Sequence, residues 1–332
     1  MMTIRPLRNQ VVFRRDPPPT HVGPVEIPEA QRSKRTPTAT VVAVGPGGRV
    51  AKTRLRLVEK AGQVTKETVR TEIGREEPTL LRVGDRVIVH EMVGWPLLEE
   101  DGVVLETDEE RLFYGRLTSR GPEAIGDWLF VEREKPEEKV GALVVPESAR
   151  SVRSIVKVVS AGPGHMRGGE LVANPYKVGD RLLVNDHSSA VAPVDVEVGG
   201  TKLTILRAFE VIARVNEDDS LEAENDFVLI ERDPPVDKVG SIHVVQSIAN
   251  IPSTGTVLSV GPGLVLFHDI ALRPHVKHGD RIVLDDWWTR IDQKTPLPRG
   301  WKPANVSFRH EVKLGGKTYT IVHDADVLAV LE

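Results

Sequence analysis

Along this chain the apolar residues fall in short, valine-rich alternating runs, which Gly and Pro cut off before a helical period can build up. Such runs predict strands and tight corners, so the expected fold class is all-β. The runs come back in one order three times. Each round opens with an alternating strand ending in Arg and an acid: Val11 to Asp16, Trp128 to Glu134, Phe227 to Asp233. A Val-Gly step follows at Val22-Gly23, Val140-Gly141 and Val239-Gly240. Next comes a Gly-Pro-Gly corner: Gly45-Pro46-Gly47, Gly162-Pro163-Gly164 and Gly261-Pro262-Gly263. A Gly-Asp-Arg turn then runs into an aliphatic strand, at Arg86, Arg181 and Arg281. A strand, a polar corner and a last aliphatic strand close each round.

One order of features repeated three times implies a triplicated unit. Three units of roughly 100 residues suit the length of 332. Their expected bounds are 1–118, 124–216 and 225–332, each a small closed or partly closed β-barrel. Unit one carries an insertion at about 51–78, whose polar alternating arms around Ala61-Gly62 predict a projecting hairpin. Unit three carries one at about 286–310 with Trp287, Trp288 and Trp301, read as cover for a core edge or an interface. Thr118 to Glu123 and the acidic stretch Asn216 to Asn225 are expected to be exposed linkers. In the Gly-Asp turns, Gly84, Gly179 and Gly279 permit positive φ, and Asp85, Asp180 and Asp280 can bond nearby backbone donors. The reading of these aspartates is structural, not catalytic.

Composition narrows the chemistry. With no cysteine, the chain has no disulfide, no Cys-ligated zinc and no thiol nucleophile. A net charge of −4 argues against a general nucleic-acid binder. One acid-free stretch, Gln31 to Val58, holds Arg32, Lys34, Arg35, Arg49, Lys52, Arg54 and Arg56; it is read as a solvated face, with docking on an acidic surface as the alternative. His268, His275 and His278 are read as solvent-facing loop residues, so no metal and no cofactor is expected. Gly162 to Gly169 lacks the βαβ context of a dinucleotide fingerprint, and Gly199-Gly200-Thr201-Lys202 lacks the P-loop spacing. No apolar run is long enough to span a membrane and no signal peptide is recognised, so a soluble cytoplasmic protein that is not an enzyme is expected.

The order resembles the GroES family, the ten-kilodalton co-chaperonins. The resemblance is carried by Ile4-Arg5-Pro6-Leu7, Val41-Val42-Ala43-Val44-Gly45, Leu143-Val144-Val145-Pro146-Glu147, the three Gly-Asp turns, and the end from Val312 through Gly315-Gly316 to Val330. It implies a non-enzymatic protein that associates into a ring, caps a chaperonin, and docks through an aliphatic tripeptide on a mobile loop of each unit. By position the tripeptides are Val25-Glu26-Ile27, Leu143-Val144-Val145 and Ile242-His243-Val244. Residues i and i+2 of an extended segment share a face, so Val25/Ile27, Leu143/Val145 and Ile242/Val244 each offer two aliphatics. Burying each contributes about 1.5–3 kcal/mol, and loop ordering takes much of that back, so several loops must act together. Loop one, with Glu26 at its centre, is the weakest. Known rings of the family are sevenfold, which three units per chain do not divide. The competing reading is a triplicated GroES-fold scaffold or shell protein, such as a virus-particle component, forming a pseudo-symmetric ring without a chaperonin. GroES-like alcohol dehydrogenases are a third comparison, but they bring cysteine zinc ligands and a Rossmann domain, and this chain has neither.

Overall fold

Three consecutive apolar residues are buried in the first strand of each repeat: Val11 to Phe13, Leu129 to Val131 and Val228 to Ile230. In a strand, neighbouring side chains point to opposite faces, so these strands are covered on both sides. The computed structural model describes residues 4–18, 20–22, 25–26, 28, 36–60, 63–77, 79–90, 92–100, 102–134, 139–140, 143–144, 155–167, 170–184, 194–198, 201–234, 238–239, 242–243, 252–266, 270–284 and 310–332. Among them there are strands and single 3-10 turns but no α-helix. The strand pairings are antiparallel.

The chain packs as two compact units, residues 1–132, 158–179 and 193–208, and residues 133–157, 180–192 and 209–332. The middle repeat is divided between them, with strand Trp128–Arg133 split after Glu132 and strand Ile155–Ala161 split after Lys157. Unit one contains a seven-stranded sheet in the order Gly121–Ala124, Phe113–Thr118, Arg86–Val89, Thr38–Val44, Gln10–Arg15, Val103–Glu109, Trp95–Glu100. It also holds strands Val194–Val198 and Thr201–Arg207, the latter paired with Trp128 to Val131. Unit two contains a six-stranded sheet in the order His310–Leu314, Lys317–His323, Phe227–Arg232, Thr254–Val260, Arg281–Leu284, Val327–Leu331. It also holds Arg181–Val184, Val211–Val215 and Leu221–Ala223, paired in that order.

In unit one, Val11, Phe13, Val41, Val87 and Phe113 fill the inside of the first sheet, with Phe13 edge-on to Phe113 at 5.2 Å. A second cluster joins Ile88, Tyr114 and Ala124 of the first repeat to Trp128, Phe130, Leu203 and Ile205 of the second, with Tyr114 edge-on to Trp128 at 4.6 Å. Unit two repeats the scheme. Val228, Ile230, Val257, Ile282 and Val322 form its inner core. Ile212, Ala213, Val215 and Leu221 of the second repeat pack with Phe227, Leu229, Tyr319 and Ile321 of the third.

The expected linkers are strands instead. Gly121–Ala124 pairs back on Gly115 to Thr118, and Leu221–Ala223 pairs on Ala213 to Val215. Both end alike: the Ala124 N–H donates to Ser160 Oγ and the Ala223 N–H to Ser259 Oγ, each at 2.9 Å. Leu221 and Ala223 are buried while Glu222 between them is exposed, so the acidic residues mask a half-buried strand. The insertion of unit one is a hairpin of Gly48–Lys60 with Gln63–Glu77, paired from Gly48 opposite Glu77 to Lys60 opposite Gln63 with register shifts between Arg49 and Ala51 and between Arg54 and Leu55, and it forms a two-stranded sheet of its own. The tryptophans of the 286–310 insertion lie outside the described residues.

Backbone packing explains the Gly-Pro-Gly corners. The Gly45, Gly162 and Gly261 N–H groups donate to the carbonyls of Gln10, Trp128 and Phe227, each at 2.9 Å. A Cβ on those glycines would lie 2.1, 2.3 and 2.3 Å from the carbonyl oxygens of Arg8, Gly126 and Asn225. Those three residues are themselves left-handed, with φ of 57°, 58° and 54°, and their carbonyls accept from Gly47, Gly164 and Gly263. The corner therefore buttons the return of the second strand onto the start of the first, at a distance that admits no side chain. Gly162→Ala should accordingly destabilise by about 1–3 kcal/mol through forced backbone movement. Gly179→Ala faces open space but a φ of 96°, so it should cost about 1–2 kcal/mol through conformation alone. Urea melts check both, with the midpoint falling and the slope unchanged.

Candidate docking loops and their roots

In each repeat the valine of the Val-Gly step ends a two-residue strand that pairs with the strand opening the tripeptide. Val22 stands opposite Val25, Val140 opposite Leu143 and Val239 opposite Ile242. The next pairs are His21 with Glu26, Lys139 with Val144 and Lys238 with His243. The backbone thus puts the first residue of each tripeptide at one register position, and its central residue one step on. Ile27, Val145 and Val244 lie outside the described residues. The sequence reading treats these segments as extended. The missed signal is the Gly-X spacer between the arms (Gly23-Pro24, Gly141-Ala142, Gly240-Ser241), which is the composition of a two-residue hairpin loop.

The loops leave the first strand and come back on the second, and the two roots are bonded. The Asp16 N–H donates to Thr38 O at 3.0 Å, Glu134 to Ile155 O at 3.0 Å, and Asp233 to Thr254 O at 3.1 Å. The Thr38 hydroxyl bonds Asp16 Oδ2 at 2.6 Å, and the Thr254 hydroxyl bonds Asp233 likewise. The arginine of each Gly-Asp-Arg turn then meets the same acid: Arg86 with Asp16 at 2.7 Å, Arg181 with Glu134 at 2.8 Å, Arg281 with Asp233 at 2.7 Å. In the middle repeat the guanidinium also donates to Asp219 Oδ1 at 2.9 Å. The arginine before the acid adds a fastening in loops one and three, Arg232 donating to the Pro252 carbonyl at 3.3 Å. The nearly buried Arg15 donates to Glu106 (2.9 Å), to the Thr36 carbonyl (2.6 Å) and to the carbonyls of His90 and Val93.

The charges respond to this geometry. Burial alone would raise the Asp16 carboxyl, but the bonds from Thr38 and Arg86 outweigh it and hold it below the ordinary value. The Arg281 hydrogen bond, helped by Thr254, lowers Asp233. The bonds to Glu134 and Asp219 raise Arg181.

The Gly-Asp turns come immediately before these arginines and lie against the middle of the returning strands. The Gly84, Gly179 and Gly279 N–H groups donate to the carbonyls of Val41, Val158 and Val257, each at 2.9 Å, with φ of 89°, 96° and 87°. Asp85 accepts the Arg82 N–H at 2.8 Å and Asp280 the Lys277 N–H at 2.9 Å, while Asp180 accepts from Arg214 at 2.8 Å. His275 pairs with Asp324 at 2.7 Å, and His278 lies 2.8 Å from the Leu258 carbonyl. His268 lies outside the described residues. Among the described residues, no cluster of three His, Cys, Asp or Glu is placed to hold a metal, and no helix is long and apolar enough to cross a membrane.

Small antiparallel sheets of one strand order, each with a loop rooted on its first strand and a glycine-locked corner, define an all-β protein of repeated GroES-like barrels. The family model described as chaperonin 10 Kd subunit matches residues 123–215 and 220–331, more than half of the chain, and the chain belongs to that family. It is similar to the co-chaperonin GroES of Streptococcus anginosus, at 34% identity over 92 residues covering 27% of this chain and 95% of that protein. The co-chaperonin GroES of Streptococcus pneumoniae (strain ATCC 700669 / Spain 23F-1) is 35% identical over 94 residues, 28% of this chain and 96% of the relative. The 20 kDa chaperonin, chloroplastic, of Arabidopsis thaliana is 27% identical over 143 residues, 42% of this chain; the match spans about half of that relative, 55% of its length.

Where the third repeat begins, Asp226 meets His323 at 2.9 Å, and the imidazole lies against Phe227 at 4.5 Å. The second repeat has Asp127 and Arg207 there, with Arg207 over Trp128 at 4.2 Å. The Asp226 hydrogen bond raises His323 above the usual value of 6.5 although burial opposes it, with Asp326 contributing charge. Burial raises Asp226, and the His323 bond more than reverses that, leaving it below 3.8. A raised histidine contributes fully below its unfolded value and loses that contribution as pH climbs through its folded one. A lowered aspartate contributes above its unfolded value and loses that as pH falls. The pair is therefore strongest between about pH 4 and 6.5. Denaturant melts at about pH 6 and 9 should show unit two weakening at the higher pH, and His323→Arg should flatten that difference.

Proposed function

We propose that this chain is a non-enzymatic co-chaperonin, made of three GroES-like units at 1–118, 124–216 and 225–332, that docks on a chaperonin ring through its three loops. The observation that carries the reading is the repeated loop hairpin, which brings Val25, Leu143 and Ile242 to one register position on identically bonded roots. Family membership supports it, as do relatives named co-chaperonin GroES. The partner would supply nucleotide hydrolysis, and the cytosol or an equivalent compartment would house both. Loop two, with Leu143-Val144-Val145, carries the most apolar tripeptide and is the principal contact. In ATP-dependent co-sedimentation with a chaperonin double ring, the wild type should pellet and Val144→Asp should lose most of that binding. Failure of the wild type across chaperonins would favour the scaffold or shell reading.

Self-association belongs to the same proposal. Ile212, Ala213 and Val215, on the last strand of the second repeat, are buried against the third. By register their counterparts in the third repeat are Leu328, Ala329 and Leu331, and these are exposed on the outermost strand of the sheet. At the other end, Trp95 stands opposite Thr107 as Val194 stands opposite Ile205, and Trp95 is 74% exposed. One uncovered face of each kind fits a second copy joined head to tail, with ring closure set by the rotation. Sedimentation velocity should show an assembly of several chains that Leu328→Asp reduces to the single chain. A wild type that stays a single chain at micromolar concentration argues against the ring.

A further inference from the structure

The acid ending each first strand is the last residue before the loop, and the loop comes back along the neighbouring strand. The arginine that meets this acid stands one strand further over: Arg86 is in register with Thr40, Arg181 with Lys157 and Arg281 with Thr256, each on the returning strand. Each ion pair therefore reaches across the returning strand at the mouth of the loop. The partners are far apart in sequence, and the bond is made in all three repeats although the acid changes from Asp to Glu and back.

We infer that these three pairs are clasps that position the docking loops, and that the middle one, where Arg181 holds both Glu134 and Asp219, sets the geometry of the principal loop. The inference rests on the docking reading above. A loop whose two ends are fixed has less freedom to lose when it binds, so the clasp raises affinity without touching the partner. Burial grades the pairs: the Arg181 side chain is 33% exposed, against 59% for Arg86 and 48% for Arg281. With Asp219 as second acceptor, the Arg181 guanidinium is fixed in orientation as well as in charge.

The test uses the full chain and two readouts. Arg181→Gln shortens the side chain and removes the charge while keeping a polar end. It should speed limited proteolysis between residues 135 and 154 by about 3- to 5-fold, the size expected for a part-exposed pair, and leave cleavage in loops one and three unchanged. Chaperonin affinity should fall by a similar factor. Raising salt from about 50 to 500 mM should weaken the wild type and barely change the variant, a signature that general destabilisation would not produce. The charge swap Glu134→Arg with Arg181→Glu should recover part of both losses. Unchanged proteolysis in Arg181→Gln overturns the clasp whatever the binding does. A wild type that binds no chaperonin, with proteolysis responding as described, overturns docking and leaves the clasp as the device that closes the loop mouth.

Discussion

An antiparallel sheet has two faces, and a unit of roughly 100 residues has enough apolar side chains to bury only one of them around a core of its own. The chain resolves this by succession. The last strand of one repeat turns its outer face to the first strand of the next, so Tyr114 meets Trp128 and Ile212 joins Phe227 and Leu229 in one cluster. That shared burial explains why packing divides the molecule into two compact units while the sequence repeats three times. It also explains why the connecting segments are strands: a free linker would leave Leu221 and Ala223 in water and the edge of Val211–Val215 unpaired.

Within this scheme two kinds of fastening do different work. The glycine corners are fixed by contact distance, since a carbonyl oxygen stands where a Cβ would go, and that demand is alike in all three repeats. The charged fastenings tolerate substitution. Arg207 over Trp128 in the second repeat becomes His323 against Phe227 in the third, keeping the acid and the aromatic neighbour while turning a permanent charge into a titrating one. Steric constraints leave one residue type; electrostatic ones leave a class, because a partly exposed pair needs opposite charge within reach more than it needs one geometry.

This contrast decides how much was legible beforehand. The Gly-Pro-Gly and Gly-Asp motifs could be read because a backbone requirement writes one residue at one place. The all-β class followed from short alternating runs, and the hairpin around Ala61-Gly62 from two polar alternating arms. The connecting strands were hidden because Glu123, Glu222 and Glu224 give them the composition of linkers, although Leu221-Glu222-Ala223 carries the alternation. The clasps were hidden for another reason. Both halves of the motif, Arg-acid and Gly-Asp-Arg, stood out in the sequence, but nothing local says that Asp16 and Arg86 touch, and only the pairing of three strands brings them together.

The loops invert the pattern of the corners. Their frames are alike in all three repeats: hairpin register, backbone bond between roots, ion pair across the mouth. Their tips are not, since the central residues are Glu26, Val144 and His243. Three copies of one frame with three tip chemistries argue against equal docking sites whose affinities simply multiply. An apolar groove would take Val144 readily, whereas Glu26 would have to shed its hydration or find a cation, and His243 would enter only in its neutral form. In the proposed role the chain is thus one strong contact supported by two conditional ones. Avidity then depends on how many middle repeats an assembly presents, more than on the total number of loops.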